Sequence, residues 1–111
     1  MLFKTQGIND IVLVSPPNTD LDAGNADEFK RDITPLIEGQ QKVIINMESI
    51  GFMDSAGLGA ILSAFKKVRG GGGLFRIYGL SKEVKALFQL VRMQRLFEIY
   101  ENRESAIESL Q

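Results

Sequence analysis

The segment Lys42–Met47, KVIINM, is the feature that most constrains the fold of this chain, because it is apolar at nearly every position. Such a short continuous run is typical of a strand that is covered on both faces, as in an α/β sheet. Apolar residues recur at helical spacing before it, at Phe29 and Ile33, and after it, at Leu58 and Ile61. The pattern therefore predicts a central strand flanked by helices.

The remaining elements complete an α/β order of two strands and a helix, followed by three further strand–helix pairs. Strands are predicted at LFKTQ, IVLVS, LFRIY and Phe97–Tyr100, and further helices are predicted after Ser81, which caps one, and over Arg103–Leu110. We expect one domain over residues 1–111, with a mixed four- to five-stranded sheet and helices packed on it.

Five local features carry more specific expectations. Residues Gly7–Asp10 predict the turn of an N-terminal hairpin, and Pro35 predicts a kink in the first helix or an end near Thr34. The stretch NTDLDAGN has loop composition and ends at Asn25, which is expected to cap that helix. Residues Glu48–Met53 are expected to be a plain connector, and the four glycines Gly70–Gly73 a flexible link between helix and strand.

The charge balance argues against partners that are bound by a general positive field. Thirteen basic and fourteen acidic residues give a net charge of −1, so nucleic acid and anionic membranes are not expected as partners, although a local patch stays open. Lys66, Lys67 and Arg69 form one small basic run. It is interpreted first as a solvated helix end that offsets the helix dipole, and alternatively as a contact for an acidic partner.

The absence of histidine and cysteine removes several kinds of chemistry at once. A Ser-His-Asp triad and ordinary zinc, copper or haem sites are excluded, and no disulfide can form. Asp20 and Asp22 are the nearest candidates for an all-oxygen magnesium or calcium site, but they lack the spacing of a calcium loop and are interpreted as loop or capping residues. We expect no metal, no cofactor, no membrane insertion and a cytoplasmic location.

The stretch Gly51–Leu62, GFMDSAGLGAIL, places an acid and a hydroxyl inside an otherwise apolar region. It spans the turn from the central strand into the second helix, so Ser55 is expected at the helix N-terminus, where the local field favours a hydroxyl, a carboxylate or a phosphoryl group. Asp54 or Ser55 then either caps the helix or is recognised by another protein.

One face of the second helix is predicted to be unusually bare. Ala56, Gly59, Ala60 and Ser63 lie away from the apolar stripe of that helix. Glycine inside a helix costs about 0.5–1 kcal/mol relative to alanine, so Gly59 requires a reason such as the close approach of another backbone. Either internal packing or a partner protein would supply that approach.

The residues MDSAGLGAIL resemble the signature of the STAS domain family, the bacterial anti-sigma-factor antagonists. The similarity extends from LDAGNADEF through VIINMESIGFMDSAGLGAIL to GLSKEVKALFQLVRMQRLFEIYEN. The resemblance implies a non-enzymatic antagonist that binds an anti-sigma factor and so releases a sigma factor. It further implies that the anti-sigma factor is a serine kinase which switches binding off, and that a serine phosphatase reverses the switch.

The resemblance also implies roles for individual residues. Ser55 matches the phosphoacceptor, Asp54 its acidic neighbour, and Asp22 the acid of the loop that faces the serine. The implied partner-binding set is Asp22, Asn25, Asp54, Ser55, Ala56, Gly57, Gly59 and Ser63. The expected assembly state is a monomer or a weak dimer.

Two alternatives remain at this point. In the first alternative, the protein is a scaffold or adaptor in a signalling assembly or lipid-transport system, and its serine is not phosphorylated. An enzyme that uses Ser55 as nucleophile would need a lysine base close to it in space, and no lysine lies within ten residues of Ser55 in the sequence.

Overall fold

The computed structural model describes residues 1–111 and contains seven strands, four helices and a single 3₁₀ turn at Met93–Arg95. In chain order the elements are β1 (Lys4–Ile8), β2 (Ile11–Ser15), β3 (Asp20–Leu21), α1 (Ala26–Ile37), β4 (Lys42–Asn46), β5 (Phe52–Met53), α2 (Ser55–Gly70), β6 (Leu74–Tyr78), α3 (Lys82–Leu90), β7 (Glu98–Tyr100) and α4 (Arg103–Glu108). No helix is long and apolar enough to span a bilayer.

Five strands form a mixed sheet in the order β1-β2-β4-β6-β7. Strand β1 pairs antiparallel with β2, whereas β2, β4, β6 and β7 run parallel and are joined by the crossover helices α1, α2 and α3. Strand β4 lies in the middle, and its residues Val43, Ile44 and Ile45 have no exposed surface. The prediction of a central strand within an α/β fold is therefore confirmed.

The two faces of the sheet carry cores of unequal size. Val43 and Ile45 point into the larger core, which they share with buried residues of α1, α2 and α3 such as Phe29, Ile61 and Phe88. Ile44 points the other way, into a smaller core that is closed by α4. Alternation along a strand covered on both faces produces this arrangement, and it explains why Val43, Ile44 and Ile45 are all apolar although they alternate between the two faces.

Helix α1 continues past Pro35 to Ile37, so the predicted end near Thr34 is wrong. Proline removes the backbone N–H that would otherwise donate to the Arg31 carbonyl. The Glu38 N–H still donates to the Thr34 carbonyl at 3.0 Å, and Ile33 and Ile37 are both buried. Burial of these two side chains outweighs the missing bond.

The N-terminal hairpin is confirmed, but its turn is shorter than predicted. Gly7 and Ile8 belong to β1, and only Asn9 and Asp10 connect the strands. Asn9 adopts a left-handed conformation with φ of 57°, which asparagine tolerates better than most residues and which two-residue hairpin turns require. Strand pairing thus extends to the last residue that the turn geometry permits.

Candidate functional site

A second, two-stranded sheet builds the site, and it joins two segments that the sequence presented as loop and connector. Strand β3 pairs parallel with β5, with Leu21 opposite Met53. The Gly51 N–H donates to the Thr19 carbonyl at 2.8 Å, and the Asp54 N–H donates to the Leu21 carbonyl at 3.4 Å. This pairing places the loop after β3 beside the N-terminus of α2.

Asp54 caps α2 and also holds the neighbouring loop. Its Oδ1 accepts the Gly57 N–H at 2.9 Å, and its Oδ2 accepts the Ala23 N–H at 3.1 Å. These bonds, with the Gly57 N–H as the largest contributor, hold the pKa of the Asp54 carboxyl below its ordinary range, although partial desolvation acts in the opposite direction. Asp54 is therefore an ionised clamp between two segments.

Ser55 is the first residue of α2 and is exposed. Asp54 takes the capping role, and the Ser55 hydroxyl makes no hydrogen bond to a lysine or to any other group of the protein. The hydroxyl lies at the positive end of a 16-residue helix. A phosphoryl group attached there would have room in solvent and a favourable local field.

The loop after β3 is braced by its own side chains. The Gly24 N–H donates to Asp22 Oδ1 and the Asp22 N–H donates to Asn25 Oδ1, both at 2.9 Å. Asn25 also donates from Nδ2 to the Asp20 carbonyl at 3.1 Å. Asn25 precedes α1 as predicted, but its side chain makes no cap bond and braces the loop instead.

The two glycines of the helix start have opposite surroundings. Gly57 is buried, and a Cβ atom there would overlap the Leu21 carbonyl group, lying 2.7 Å from its carbon and 2.9 Å from Met53 Cγ. Gly59 is exposed, and a Cβ atom there would meet nothing within 4 Å. The close backbone approach expected at Gly59 thus occurs at Gly57, and internal packing does not explain Gly59.

The predicted bare face of α2 is narrower than expected. Ala60 is only 1% exposed and belongs to the core, while Ala56 and Ser63 are half-buried. Helix α1 packs against α2, and Ala60 is one of the small residues that α2 contributes to the core. Of the four residues of that face, only Gly59 is fully open to a partner.

Phe52 is a residue of this surface that the sequence reasoning missed. It lies in β5, three residues before Ser55, and its side chain is 55% exposed while that of Met53 is buried. The signal was present as an alternation of two residues, which is too short to be recognised as a strand. An exposed aromatic ring three residues before Ser55 offers an apolar contact point in addition to the polar groups of the site.

The largest cavity lies away from Ser55. It has a volume of about 650 Å³ and lies near the ends of β2 and β4, where its lining includes Ser15, Asn46 and Ser49. Asn46 Nδ2 donates to Ser15 Oγ at 3.2 Å, so these polar groups already satisfy each other. No three acidic side chains cluster anywhere in the chain, and Asp20 and Asp22 form no such group.

Replacing Asp54 by asparagine is expected to lower Tm by roughly 5 °C at pH 7, because asparagine keeps one acceptor for Gly57 but loses the second oxygen that holds Ala23. Because the pKa of the Asp54 carboxyl is lower in the folded than in the unfolded protein, its ionised form stabilises the fold at pH values above the unfolded-state pKa. This stabilisation is lost as the pH falls through the folded-state pKa. The difference between the two proteins should therefore shrink below about pH 4.

Thermal unfolding followed by circular dichroism between pH 3 and pH 7 would measure this difference. Asp27→Asn is the matched control, since Asp27 is a fully exposed acid whose contact with Lys30 lies on the surface. A wild-type/Asp54→Asn difference that stays constant across the pH range would contradict the role of the ionised carboxylate.

Comparison with known proteins agrees with the geometry. The STAS domain family model matches residues 3–106. The crystal structure of a Thermotoga maritima protein, provisionally assigned as an anti-sigma factor antagonist, superposes with a TM-score of 0.87 at 27% identity, covering 96% of this chain and 92% of that one. The anti-sigma-B factor antagonist of Bacillus subtilis is 26% identical over 89 residues, which are 80% of this chain and 82% of that protein.

A third similarity concerns the fold alone. The phosphorylated form of the Bacillus cell fate determinant SpoIIAA superposes with a TM-score of 0.72 at 21% identity, covering 99% of this chain and 100% of that one. The family model accounts for nearly the whole sheet, all three crossover helices and the serine-bearing turn. The chain belongs to the STAS domain family, and its relatives include bacterial anti-sigma factor antagonists.

Proposed function

We propose that this protein is an anti-sigma-factor antagonist that binds its anti-sigma factor when Ser55 is unmodified and releases it when Ser55 is phosphorylated. The observation that carries the proposal is the exposed Ser55 hydroxyl, which has no partner inside the protein although it stands at the start of α2. The similarity to anti-sigma factor antagonists of Bacillus subtilis and Paenibacillus polymyxa supports the same role. The anti-sigma factor is itself the serine kinase, and a serine phosphatase restores binding.

The contact surface is centred on the segments that Asp54 clamps together. It comprises the Asp22–Asn25 loop, Asp54, Ser55 and the exposed part of α2 around Ala56, Gly59 and Ser63, with Phe52 as an added apolar contact. Gly57 contributes indirectly, because its missing side chain lets the loop approach the helix. The protein acts through binding and not through catalysis.

Phosphorylation acts on this surface through charge. A phosphoryl group adds about −1.5 to −2 charge beside the Asp54 carboxylate and near the acidic loop that contains Asp20 and Asp22. In the free protein, solvent and the helix N-terminus offset the repulsion. In the complex the same charge would be desolvated against a surface that fits a hydroxyl, so the complex is weakened while the fold remains.

The first test is the intact mass of the protein after incubation with ATP and the serine kinase encoded nearest to its gene. Wild type should gain one phosphoryl group, and Ser55→Ala should gain none. Ser63→Ala is the matched control, since Ser63 lies on the same helix but is half-buried. An unchanged mass shift in Ser55→Ala would disprove the assignment, and no shift in wild type would favour a scaffold role without phosphorylation.

Gly59→Leu is expected to leave the fold cooperative but to weaken binding to the anti-sigma factor by roughly tenfold. Leucine would project from an exposed position with no atom within 4 Å of the new Cβ, so the obstacle arises only in the complex. Gly59→Ala is the control, because it adds a single methyl group. Isothermal titration calorimetry measures both affinities, and an unchanged value for Gly59→Leu would place Gly59 outside the interface.

A further inference from the structure

Five unpaired cations lie on two neighbouring segments at the end of the domain away from Ser55. All are exposed, and none forms a salt bridge; they are Lys66, Lys67 and Arg69 of α2, and Arg92 and Arg95 after α3. Residues 64–76 and 86–97 contain no acid, although the chain as a whole has a net charge of −1. The positive charge of the molecule is thus concentrated locally.

Exposed aliphatic side chains accompany these cations. Leu90 is 80% exposed, Val91 40% and Leu96 48%, which makes them three of the five large hydrophobic residues that the fold leaves in solvent. Helix α3 ends at Leu90, and its C-cap residue Val91 is exposed. Residues 90–96 together with Lys66, Lys67 and Arg69 are referred to below as the basic–apolar surface.

The basic–apolar surface has a rigid base. Phe97 is buried, and its ring lies 5.0 Å from that of Phe65 on α2 and 5.8 Å from that of Phe88 on α3, measured between centroids. A depression of about 270 Å³ connects the two segments and is lined by residues that include Phe65, Arg69, Leu96 and Glu98. The exposed leucines are therefore held on a packed aromatic cluster.

Arg92 adopts a left-handed conformation, with φ of 60° and ψ of 34°, directly after the C-cap of α3. Its N–H donates to the Gln89 carbonyl at 3.2 Å, as in a common helix ending in which glycine or asparagine is the favoured residue. An arginine here is strained relative to glycine. The side chain of Arg92 is thus present at a position where the backbone alone favours glycine.

We propose that the basic–apolar surface docks an acidic protein segment that carries apolar side chains. Carboxylates of such a segment would pair with Arg69, Arg92 and Arg95, because arginine binds carboxylates in a two-pronged geometry. An apolar side chain would enter the depression beside Leu96. A concave depression suits a protruding apolar side chain better than a flat anionic bilayer.

The position of this surface allows a second partner to bind together with the first. Ser55 and Arg69 lie at opposite ends of α2, which places them about 20 Å apart at the helical rise of 1.5 Å per residue. A segment bound at the basic–apolar surface therefore leaves Ser55 accessible, and the proposal stands independently of the phosphorylation switch.

The probe for this proposal is a fluorescein-labelled peptide with leucines at helical spacing and glutamates between them. Fluorescence anisotropy measures its binding to the protein. Wild type should bind it, and added salt should weaken the complex. Leu90→Ser combined with Arg92→Gly should weaken binding roughly tenfold. Arg92→Gly alone should also bind less tightly while its Tm is unchanged or higher, because glycine relieves the backbone strain.

Lys4→Gln is the matched control, since Lys4 is an unpaired cation on the edge strand β1, and the same peptide with alanine for leucine tests the apolar contact. Absence of binding by wild type at millimolar peptide would overturn the proposal, as would equal binding by wild type and the double variant. If the protein sediments with phosphatidylglycerol-containing vesicles and does not bind the peptide, the surface binds lipid and the proposal is overturned.

Discussion

Replacing Gly57 by alanine is expected to destabilise the protein by roughly 3 kcal/mol, although alanine is the better helix former. The added methyl group would overlap the Leu21 carbonyl and crowd Met53 Cγ, and both belong to the paired strands β3 and β5. Backbone cannot rotate away as a side chain does, so either the loop or the helix must move. A total stability of about 5–15 kcal/mol makes such a loss severe.

Gly59→Ala provides a matched control two residues along the same helix. Nothing lies within 4 Å of a Cβ atom at Gly59, so alanine there should stabilise the protein by about 0.5–1 kcal/mol. Urea unfolding measures both changes, and the two variants should move in opposite directions. A Gly57→Ala protein as stable as wild type would show that β3 does not press on α2 in solution.

Charge at Ser55 is expected to have the largest effect on binding. Ser55→Asp and Ser55→Glu should fold normally, because a carboxylate at the helix start meets solvent and a dipole worth about 0.3–1 kcal/mol, which offsets repulsion from Asp54. In the complex that charge would be desolvated without a partner, at a cost of about 2–5 kcal/mol. Affinity for the anti-sigma factor should then fall at least roughly tenfold.

Ser55→Ala separates the effect of charge from the loss of the hydroxyl. It adds no charge, and the hydroxyl that it removes makes no bond within the free protein, so its affinity should fall far less than that of Ser55→Asp. Titration calorimetry together with the Tm of each variant gives the comparison. Equal weakening by alanine and aspartate would mean that the hydroxyl is a contact and that charge is not the switch.

The elements that could be predicted from sequence are those whose signal is local and repeated. The apolar run of β4 predicted a strand covered on both faces, and Ser81 predicted a helix start that the Val84 N–H bond to Ser81 Oγ, at 3.2 Å, confirms. The two-residue strands β3 and β5 could not be found this way, because two residues carry no periodicity. Their pairing depends on residues about thirty positions apart in the chain.

At the site, too, some features could be predicted from the sequence and others depend on tertiary contacts. The sequence placed Asp54 and Ser55 at a helix start but left open which of them caps it, since both side chains are suitable acceptors. The answer depends on Ala23, whose N–H reaches Asp54 Oδ2 only because β3 pairs with β5. Likewise, Gly57 and Gly59 look equivalent in the sequence, and only the position of Leu21 distinguishes them.

The sequence by itself thus determined the α/β order, the central strand, the serine at the start of α2 and the family resemblance, because hydrophobic periodicity and capping depend on near neighbours. Only the tertiary structure decided that Asp54 clamps the loop, that Ser55 keeps a free hydroxyl and that Gly57 is the point of close approach. These features arise from pairing between Leu21 and Met53, and such long-range contacts exist only once the chain has folded.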